Sequence, residues 1–382
     1  MFRKNAHRVS KTGLLLAAGA AMALLASCGP QTKEIRIGGV GPLTGEAATF
    51  GLSTQQGVQL AVDERNSAGG LLGKPVKLVF ADDKGDPTEG ATVYTKLIEQ
   101  DRVCAVVGTV MSKVSLAGAP ICQAGRIPMI SPTSTNPKVT EVGDYIFRAC
   151  FIDPFQGTVG AKFAYADLKA RRAGAIFDVG NDYTKGLAEF FRATFTELGG
   201  QVVAFEGHPS GATDFKAQLT KIIALKPDLI YIPDYYNDVG LIARQARELG
   251  FKGPLLGGDG WDSPKLTEIG GRDVENGFFT NHFSKDDARP LVQGFVKRYA
   301  ARFGAAPDAL AALAYDAAVI MLDAISRAGT TDGMKIRDAL SATRLDVVSG
   351  TVTFDANRNP IKSAVIIAIK DGKQVYRATV NP

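Results

Sequence analysis

Three polar loops carry the residue types and spacing from which a binding chemistry can be built. Gly108-Thr109-Val110-Met111-Ser112 lies between a strand-like run and a helix-like run beginning at about Lys113, which makes Ser112 a candidate N-cap. A helix start offers free N–H groups and the positive end of the helix dipole beside that hydroxyl, a combination suited to a carboxylate. Ser131-Pro132-Thr133-Ser134-Thr135-Asn136-Pro137 follows the next strand-like run. Its prolines hold Ser131 and Asn136 out of helical conformation and leave hydroxyls and backbone groups unpaired. Gly257-Gly258-Asp259-Gly260-Trp261-Asp262 adds a carboxylate at Asp259 and the only tryptophan, on glycines that allow a close backbone approach. Taken singly, the first two loops read as an ordinary serine cap and a polar turn, whereas the two acids flanking Trp261 tilt the third from a solvated turn toward a site. Their common place after strands is what marks them, because ligands of open α/β sheets sit beyond the carboxyl ends of strands.

The elements that must position these loops alternate along the chain. Strand-like runs cover Glu34–Val40, Val76–Phe80, Val103–Val107, Pro128–Ile130, Tyr145–Ala149, Ala173–Asp178, Val202–Phe205, Leu229–Ile232 and Pro254–Leu256. Between them, helical periodicity covers Thr54–Asn66, Lys113–Ala124, a segment from Gln156, Thr184–Leu198, Phe215–Leu225 and Val239–Leu249. Asp86-Pro87-Thr88-Glu89 is a helix start, with Asp86 as N-cap, Pro87 at the first helical position and Glu89 at the capping-box position. Gly199-Gly200 ends the helix before it. Such alternation predicts an α/β fold, two doubly wound parallel-sheet lobes. Toward the C-terminus, helices Leu291–Phe303, Asp308–Arg327 and Met334–Ala342 run nearly consecutively, followed by Val352–Phe354 and a hairpin turning at Asp371-Gly372. That tail predicts a chain that returns to the first lobe and crosses again, a multi-strand hinge with a cleft. Residues 34–152 plus 283–349 and residues 153–282 plus 350–382 are the expected lobes.

The N-terminus reads as an export signal. Arg3, Lys4, Arg8 and Lys11 precede an apolar segment, Gly13–Ala26, that is shorter than the roughly 18 residues a spanning helix needs. Residues 1–27 hold four of the 44 Lys+Arg and none of the 39 Asp+Glu, so the remainder is nearly neutral. This balance gives no warrant for nucleic acid or a polybasic membrane surface. Roughly 355 residues remain, more than one hydrophobic core usually serves. Past the leader no long apolar run is evident. Cys104 opens a strand-like run and Cys122 lies near the end of the next helix, so a disulfide between them is possible; otherwise these two and Cys150 are buried small hydrophobes.

Leu25-Ala26-Ser27 before Cys28 resembles the lipobox of bacterial lipoproteins, which implies acylation at Cys28 and a tether through residues 28–33. From about Glu34 onward the chain resembles the type I periplasmic solute-binding proteins of the leucine/isoleucine/valine-binding family. Val40-Gly41-Pro42-Leu43-Thr44-Gly45, Asn66 to Gly73, Asp82-Asp83 with Asp86-Pro87, Ile130 to Pro137, and Gly240 to Gly250 carry the resemblance through their order and spacing. It implies the type I periplasmic binding protein fold and recognition of an amino-acid backbone. Ser112 and the Thr135 N–H would take the α-carboxylate; the Thr133 carbonyl, the Thr135 hydroxyl and Asp259 would take the α-ammonium. An aromatic side-chain pocket would fall at Phe50, Tyr183, Tyr235 and Tyr315, with Tyr236 competing for the inward position of Tyr235. Met111 and Trp261 belong to the same candidate set, and Trp261 would shrink the pocket toward small or compact side chains. The cysteine pair found in some members would fall at Gly85 and Met111, so that disulfide is absent. A lipid-anchored, monomeric protein of the cell envelope, delivering its amino acid to the transmembrane permease of an ABC importer, is the implied role.

Two other classes compete with this reading. An enzyme lacks support, since beyond the leader only His208 and His282 occur, with no zinc-type spacing and no G-x-S-x-G motif. Gly39-Val40-Gly41-Pro42-Leu43-Thr44 fails as a dinucleotide fingerprint because Thr44 stands where the third glycine belongs. No cofactor or metal is expected. A sensory or regulatory binder of the same fold, taking an amide, a polyamine or an aromatic acid, is the alternative, and Asp259 discriminates: a zwitterion needs it, a plain carboxylic acid does not.

Overall fold

A computed structural model describes residues 34–381 together with the first two residues of the chain. The leader, Cys28 and the 28–33 tether lie outside the described residues. The first sheet runs in the order β2-β1-β3-β4-β5, all parallel, with β1 Ile35–Gly41, β2 Val76–Asp82, β3 Val106–Val107, β4 Met129–Ser131 and β5 Ile146–Arg148. Successive strand residues point to opposite faces. Val107, Ile130 and Phe147 therefore join one core, under α1 (Ala48–Ser67), while Val106, Met129 and Ile146 join another, under α2 (Pro87–Glu99) and α3 (Ser112–Gly125). The Asp86 carboxylate caps α2 by accepting from the Thr88 and Glu89 N–H groups, as the sequence predicts.

This two-sidedness also decides the cysteines. Cys104 packs against the first of those cores and Cys122 lies in the second, on opposite faces of one sheet, so no disulfide joins them and the reading of them as small hydrophobes holds. Burial pushes the Cys104 and Cys150 thiols up to about 12 and that of Cys122 higher still, leaving all three protonated.

After β5 the short helix α4 (Lys138–Glu141) has already been passed, and α5 (Asp153–Ala166) leads into the second sheet. Its order is β14-β13-β10-β9-β8-β6-β7. Strands β6 (Arg172–Asp178), β7 (Gln201–His208), β8 (Leu229–Ile232), β9 (Leu255–Gly257) and β10 (Gly277–Asn281) are parallel, and β13 (Ala364–Lys370) and β14 (Lys373–Val380) add an antiparallel edge. One face is covered by α5 and α6 (Asp182–Glu197), the other by α7 (Lys216–Ala224), α8 (Tyr236–Glu248) and α9 (Pro264–Gly270). Helices α10 (Pro290–Phe303), α11 (Ala309–Ala328) and α12 (Gly333–Ser341) return to pack on the first sheet beside α1. The two-stranded β11–β12 (Arg344–Val347, Gly350–Thr353) precedes the last crossing. Thus the chain passes between the sheets three times. Helix α11 is, contrary to the sequence reading, long and apolar enough to cross a membrane, but most of it is buried in the core.

The end of β7 carries a charged pair with a measurable signature. His208 Nδ1 faces the Pro209 carbonyl at 3.0 Å and Nε2 faces the Asp234 carboxylate at 3.2 Å, so both nitrogens can donate. Burial opposes its charge, but Asp234 and that carbonyl outweigh burial and push His208 up to about 9. A folded-state value above the unfolded one stabilises fully below about pH 6.5 and is lost as pH rises through 9. Urea unfolding is expected to show about 3 kcal/mol less stability at pH 9.5 than at pH 6.5, a loss absent in His208→Gln.

Candidate functional site

The loops after β3 and β4 form one side of a small cavity. Gly108 enters the first loop at φ +148°, and a Cβ there would lie 2.5 Å from the Val40 carbonyl oxygen, so only glycine lets the loop cross β1 this closely. Met111 is the extended N-cap of α3, which makes Ser112 the first helical residue and not the cap the sequence predicts. Its Oγ accepts from the Asn136 N–H at 3.2 Å, joining the two loops.

The second loop is fastened from beneath. Ser131 Oγ donates to the Thr109 carbonyl at 2.8 Å and accepts from the Ser134 N–H at 3.0 Å, while Ser134 and Ser115 hydroxyls meet at 2.7 Å. Arg148, fully buried, donates to the carbonyls of Ser134 (2.6 Å), Asn136 (2.8 Å) and Pro137 (3.2 Å) and to Thr140 Oγ1 (3.2 Å). With its underside satisfied, the loop turns Thr133 and Thr135 to the cavity. The Thr135 hydroxyl is buried and has no hydrogen-bond partner among the described residues. Such a group is costly unless a ligand or water engages it.

Asp259 faces them from a single 3-10 turn, Asp259–Trp261, after β9. One carboxylate oxygen accepts from Gln156 Nε2 and from the Tyr183 hydroxyl, each at 2.8 Å; the other lies 3.1 Å from His282 Nε2. Gly258 makes this convergence possible, because a Cβ there would sit 2.7 Å from the Tyr183 hydroxyl and 2.8 Å from Gln156 Nε2. Tyr183 stacks on Tyr235 at 5.3 Å, and Tyr235 meets the edge of Phe50 at 5.9 Å, so an aromatic wall spans the two lobes.

Phe50, Ser112, Thr133, Thr135, Tyr183, Tyr235 and Asp259 thus line one cavity, together with Val110, Gly260 and Leu310. Its volume is only about 20 Å³, so the lobes stand nearly in contact. Asn136 Nδ2 donates to the Asp182 carbonyl (2.9 Å), and the Tyr236 hydroxyl to the Glu46 carbonyl (2.5 Å), on either side of it. Tyr236 is therefore a lobe contact and Tyr235 the inward ring. Hollows of about 660 and 630 Å³ exist elsewhere at the lobe junction, but neither joins a helix N-terminus, an unpartnered hydroxyl and the Asp259 carboxylate.

Three expected residues do not line the cavity. Trp261 turns into the core of the second lobe: it is fully buried, its indole N–H donates to the Ile232 carbonyl at 2.8 Å, and it packs on Phe279. The expected narrowing of the pocket by Trp261 therefore does not arise. Met111 points its sulfur to within 3.0 Å of where a Cβ on Gly85 would stand. Tyr315 lies in the first core, its hydroxyl donating to Glu64 at 2.6 Å, and Leu310 near the start of α11 takes the cavity position instead.

Sequence reasoning missed Gln156, His282, Asp153 and Arg148. Asp153, at the first position of α5, is fully buried with neither oxygen at hydrogen-bond geometry to a partner among the described residues, and burial, opposed by the nearby Thr135 hydroxyl, pushes it up to about 8. Asp153 and Gln156, three residues apart and so on one face of the helix, were the available signal.

The periplasmic binding protein family profile matches residues 34–374. The chain belongs to this family. Leu/Ile/Val-binding protein homolog 2 of Brucella abortus is 32% identical over 363 residues, covering 93% of this periplasmic binding protein and 96% of the relative. Among solved structures, the leucine binding protein LivK of Thermotoga maritima is 43% identical, with a TM-score of 0.87 over 91% of this chain and 99% of that one. The branched-chain amino acid transporter substrate binding protein LivJ of Streptococcus pneumoniae, in complex with isoleucine, is 34% identical at a TM-score of 0.87, covering 92% and 100%. Membership implies an extracytoplasmic solute-binding role, with two lobes of parallel sheet about one ligand.

Proposed function

We propose that this periplasmic binding protein captures an aliphatic α-amino acid, branched-chain or smaller, between lobes 34–152 plus 283–349 and 153–282 plus 350–382, and presents it without chemical change to an ABC permease. The observation that carries this reading is the opposition of charges across one cavity. Ser112 at the start of α3 and the Thr135 loop offer donors to a carboxylate, and Asp259 offers an anion to an ammonium. Thr135 Oγ1, with no partner at hydrogen-bond geometry among the described residues, can accept from that ammonium. Phe50, Val110, Tyr235 and Leu310 supply apolar surface for a compact side chain. A plain carboxylic acid would leave Asp259 without a cation, which disfavours the aromatic-acid alternative.

A thermal-unfolding screen against the amino acids tests this directly. Leucine, isoleucine or valine at 100 times its Kd is expected to add about 2.7 kcal/mol of stability and raise the Tm. A screen in which no aliphatic amino acid shifts the Tm overturns the reading. Ser112→Ala should weaken the bound amino acid by about 1.5 to 3 kcal/mol in calorimetry, since a carboxylate loses one charged hydrogen bond. The further proposals are a monomer held to the membrane by acylated Cys28; Cys28→Ala would then release the protein from membranes and abolish labelling by palmitate.

A further inference from the structure

Two buried histidines each sit on an aspartate, and their second nitrogens differ. His208 has the Pro209 carbonyl for Nδ1 and Asp234 for Nε2. His282 has Asp259 for Nε2, but its Nδ1 is buried with no partner among the described residues. Its ring lies against Phe151, centroids 3.6 Å apart and planes 30° from parallel. An imidazolium there would hold an N–H with no acceptor beside an aromatic face. A neutral ring with the proton on Nε2 donates to Asp259 and leaves only a lone pair unmatched.

We propose that His282 is a positioning residue of the ammonium site, an uncharged donor that turns the Asp259 carboxylate toward the ligand without neutralising it. This rests on the amino-acid reading above. The donors on Asp259 are then Gln156, Tyr183 and His282, all uncharged, so its negative charge is left for the ligand's ammonium. A charged His282, with Nε2 3.1 Å from the carboxylate, would instead compete with that ammonium for Asp259.

The surroundings favour the uncharged form. Lys362 reaches in from the crossing before β13, where its Nζ donates to the Ala149 carbonyl at 2.9 Å. Arg289, Asp286 and Asp287 border the same hollow from the crossing after β10, and the Cys150 thiol and Asp153 flank Phe151. Burial first, then Lys362, holds His282 below its usual range, although Asp259 pulls the other way. Ligand and proton therefore compete. The contribution of His282 to affinity therefore falls on acidification, starting below the ordinary histidine value of about 6.5, whereas Asp153 and Lys362, which titrate near 8, act equally in wild type and His282→Gln.

Two measurements decide it. In long-range ¹H–¹⁵N spectra of histidine-labelled protein at pH 7, His282 should show the neutral Nε2–H tautomer while His208 is charged; a charged His282 overturns the proposal. Calorimetry with L-leucine, L-isoleucine and L-valine from pH 5 to 8 then compares wild type, His282→Gln and His282→Phe. His282→Phe should bind about tenfold more weakly at pH 7.5, and His282→Gln, which keeps an N–H donor, should stay within about threefold and lose the acid-side fall. Wild type that binds none of the three amino acids overturns the underlying reading. Wild type that binds, with His282→Phe equal to it, overturns this inference alone.

Discussion

Asp259→Ala is expected to weaken amino-acid binding by about 2 to 5 kcal/mol, the usual consequence of leaving one charge of a buried pair without its partner. In the proposed complex the ammonium loses its only carboxylate of the cavity lining. Three donors also lose their acceptor, since Gln156 Nε2, the Tyr183 hydroxyl and His282 Nε2 all point at Asp259. That second loss falls on the free protein as well, so the binding change alone should be read by calorimetry, with unfolding followed separately. The deaminated leucine analogue 4-methylpentanoate provides a control, because it lacks the ammonium. Its affinity should not fall in the variant, and leucine's should approach it. Unchanged leucine affinity in Asp259→Ala would remove this residue from the site.

Arg148→Leu should cost about 3 to 5 kcal/mol of folding stability, as expected when several buried acceptors lose their donor at about 1 to 3 kcal/mol each. The guanidinium is fully buried and its forked donors end on the Ser134, Asn136 and Pro137 carbonyls and on Thr140. Leucine offers none of these, and three carbonyls are left facing an apolar side chain. Arg148→Lys should fall between wild type and Arg148→Leu, because a single ammonium cannot reproduce the planar fork. The same loop carries Thr133 and Thr135, so surviving protein should also bind ligand more weakly. Urea unfolding measures the first effect; a loss below about 1 kcal/mol would mean that the loop holds itself.

Much of this was legible in local patterns. The Asp86-Pro87 start of α2, the Gly199 stop after α6 at φ +89° and the Asp371-Gly372 turn between β13 and β14 each depend on backbone chemistry within a few residues. Such signals survive any tertiary context. Less legible were the short elements. β3 spans only Val106–Val107, and β10 is the five-residue run GFFTN, too brief and without the alternation that periodicity needs. Helix α1 begins at Ala48, six residues before its apolar face at Thr54 becomes regular, because the early turns pack across the lobes through Phe50.

The strand-end loops after β3, β4 and β9 were visible as residue types, and seven of the ten candidate side chains in them and around them do face the cavity. Phe50, Tyr183 and Tyr235 were distinguishable from core aromatics only with help from the family resemblance, since an aromatic ring has the same hydrophobicity in a pocket wall as in a core. Trp261 illustrates the limit: two acids beside an indole suggested a ligand contact, but the carbonyl of Ile232 lay within reach of its N–H and the core took it.

By itself, then, the sequence determined the alternating architecture, the polar loops at strand ends and the charge types available there, because these depend on periodicity, capping and composition along the chain. Only the tertiary structure decided which side chains meet. Cys104 and Cys122 are separated by a sheet whose faces local sequence does not label, and Arg148, Gln156 and His282 reach the site across 8 to 103 residues of chain through hydrogen bonds. Direction and distance between elements are set by packing, and packing is a property of the whole fold.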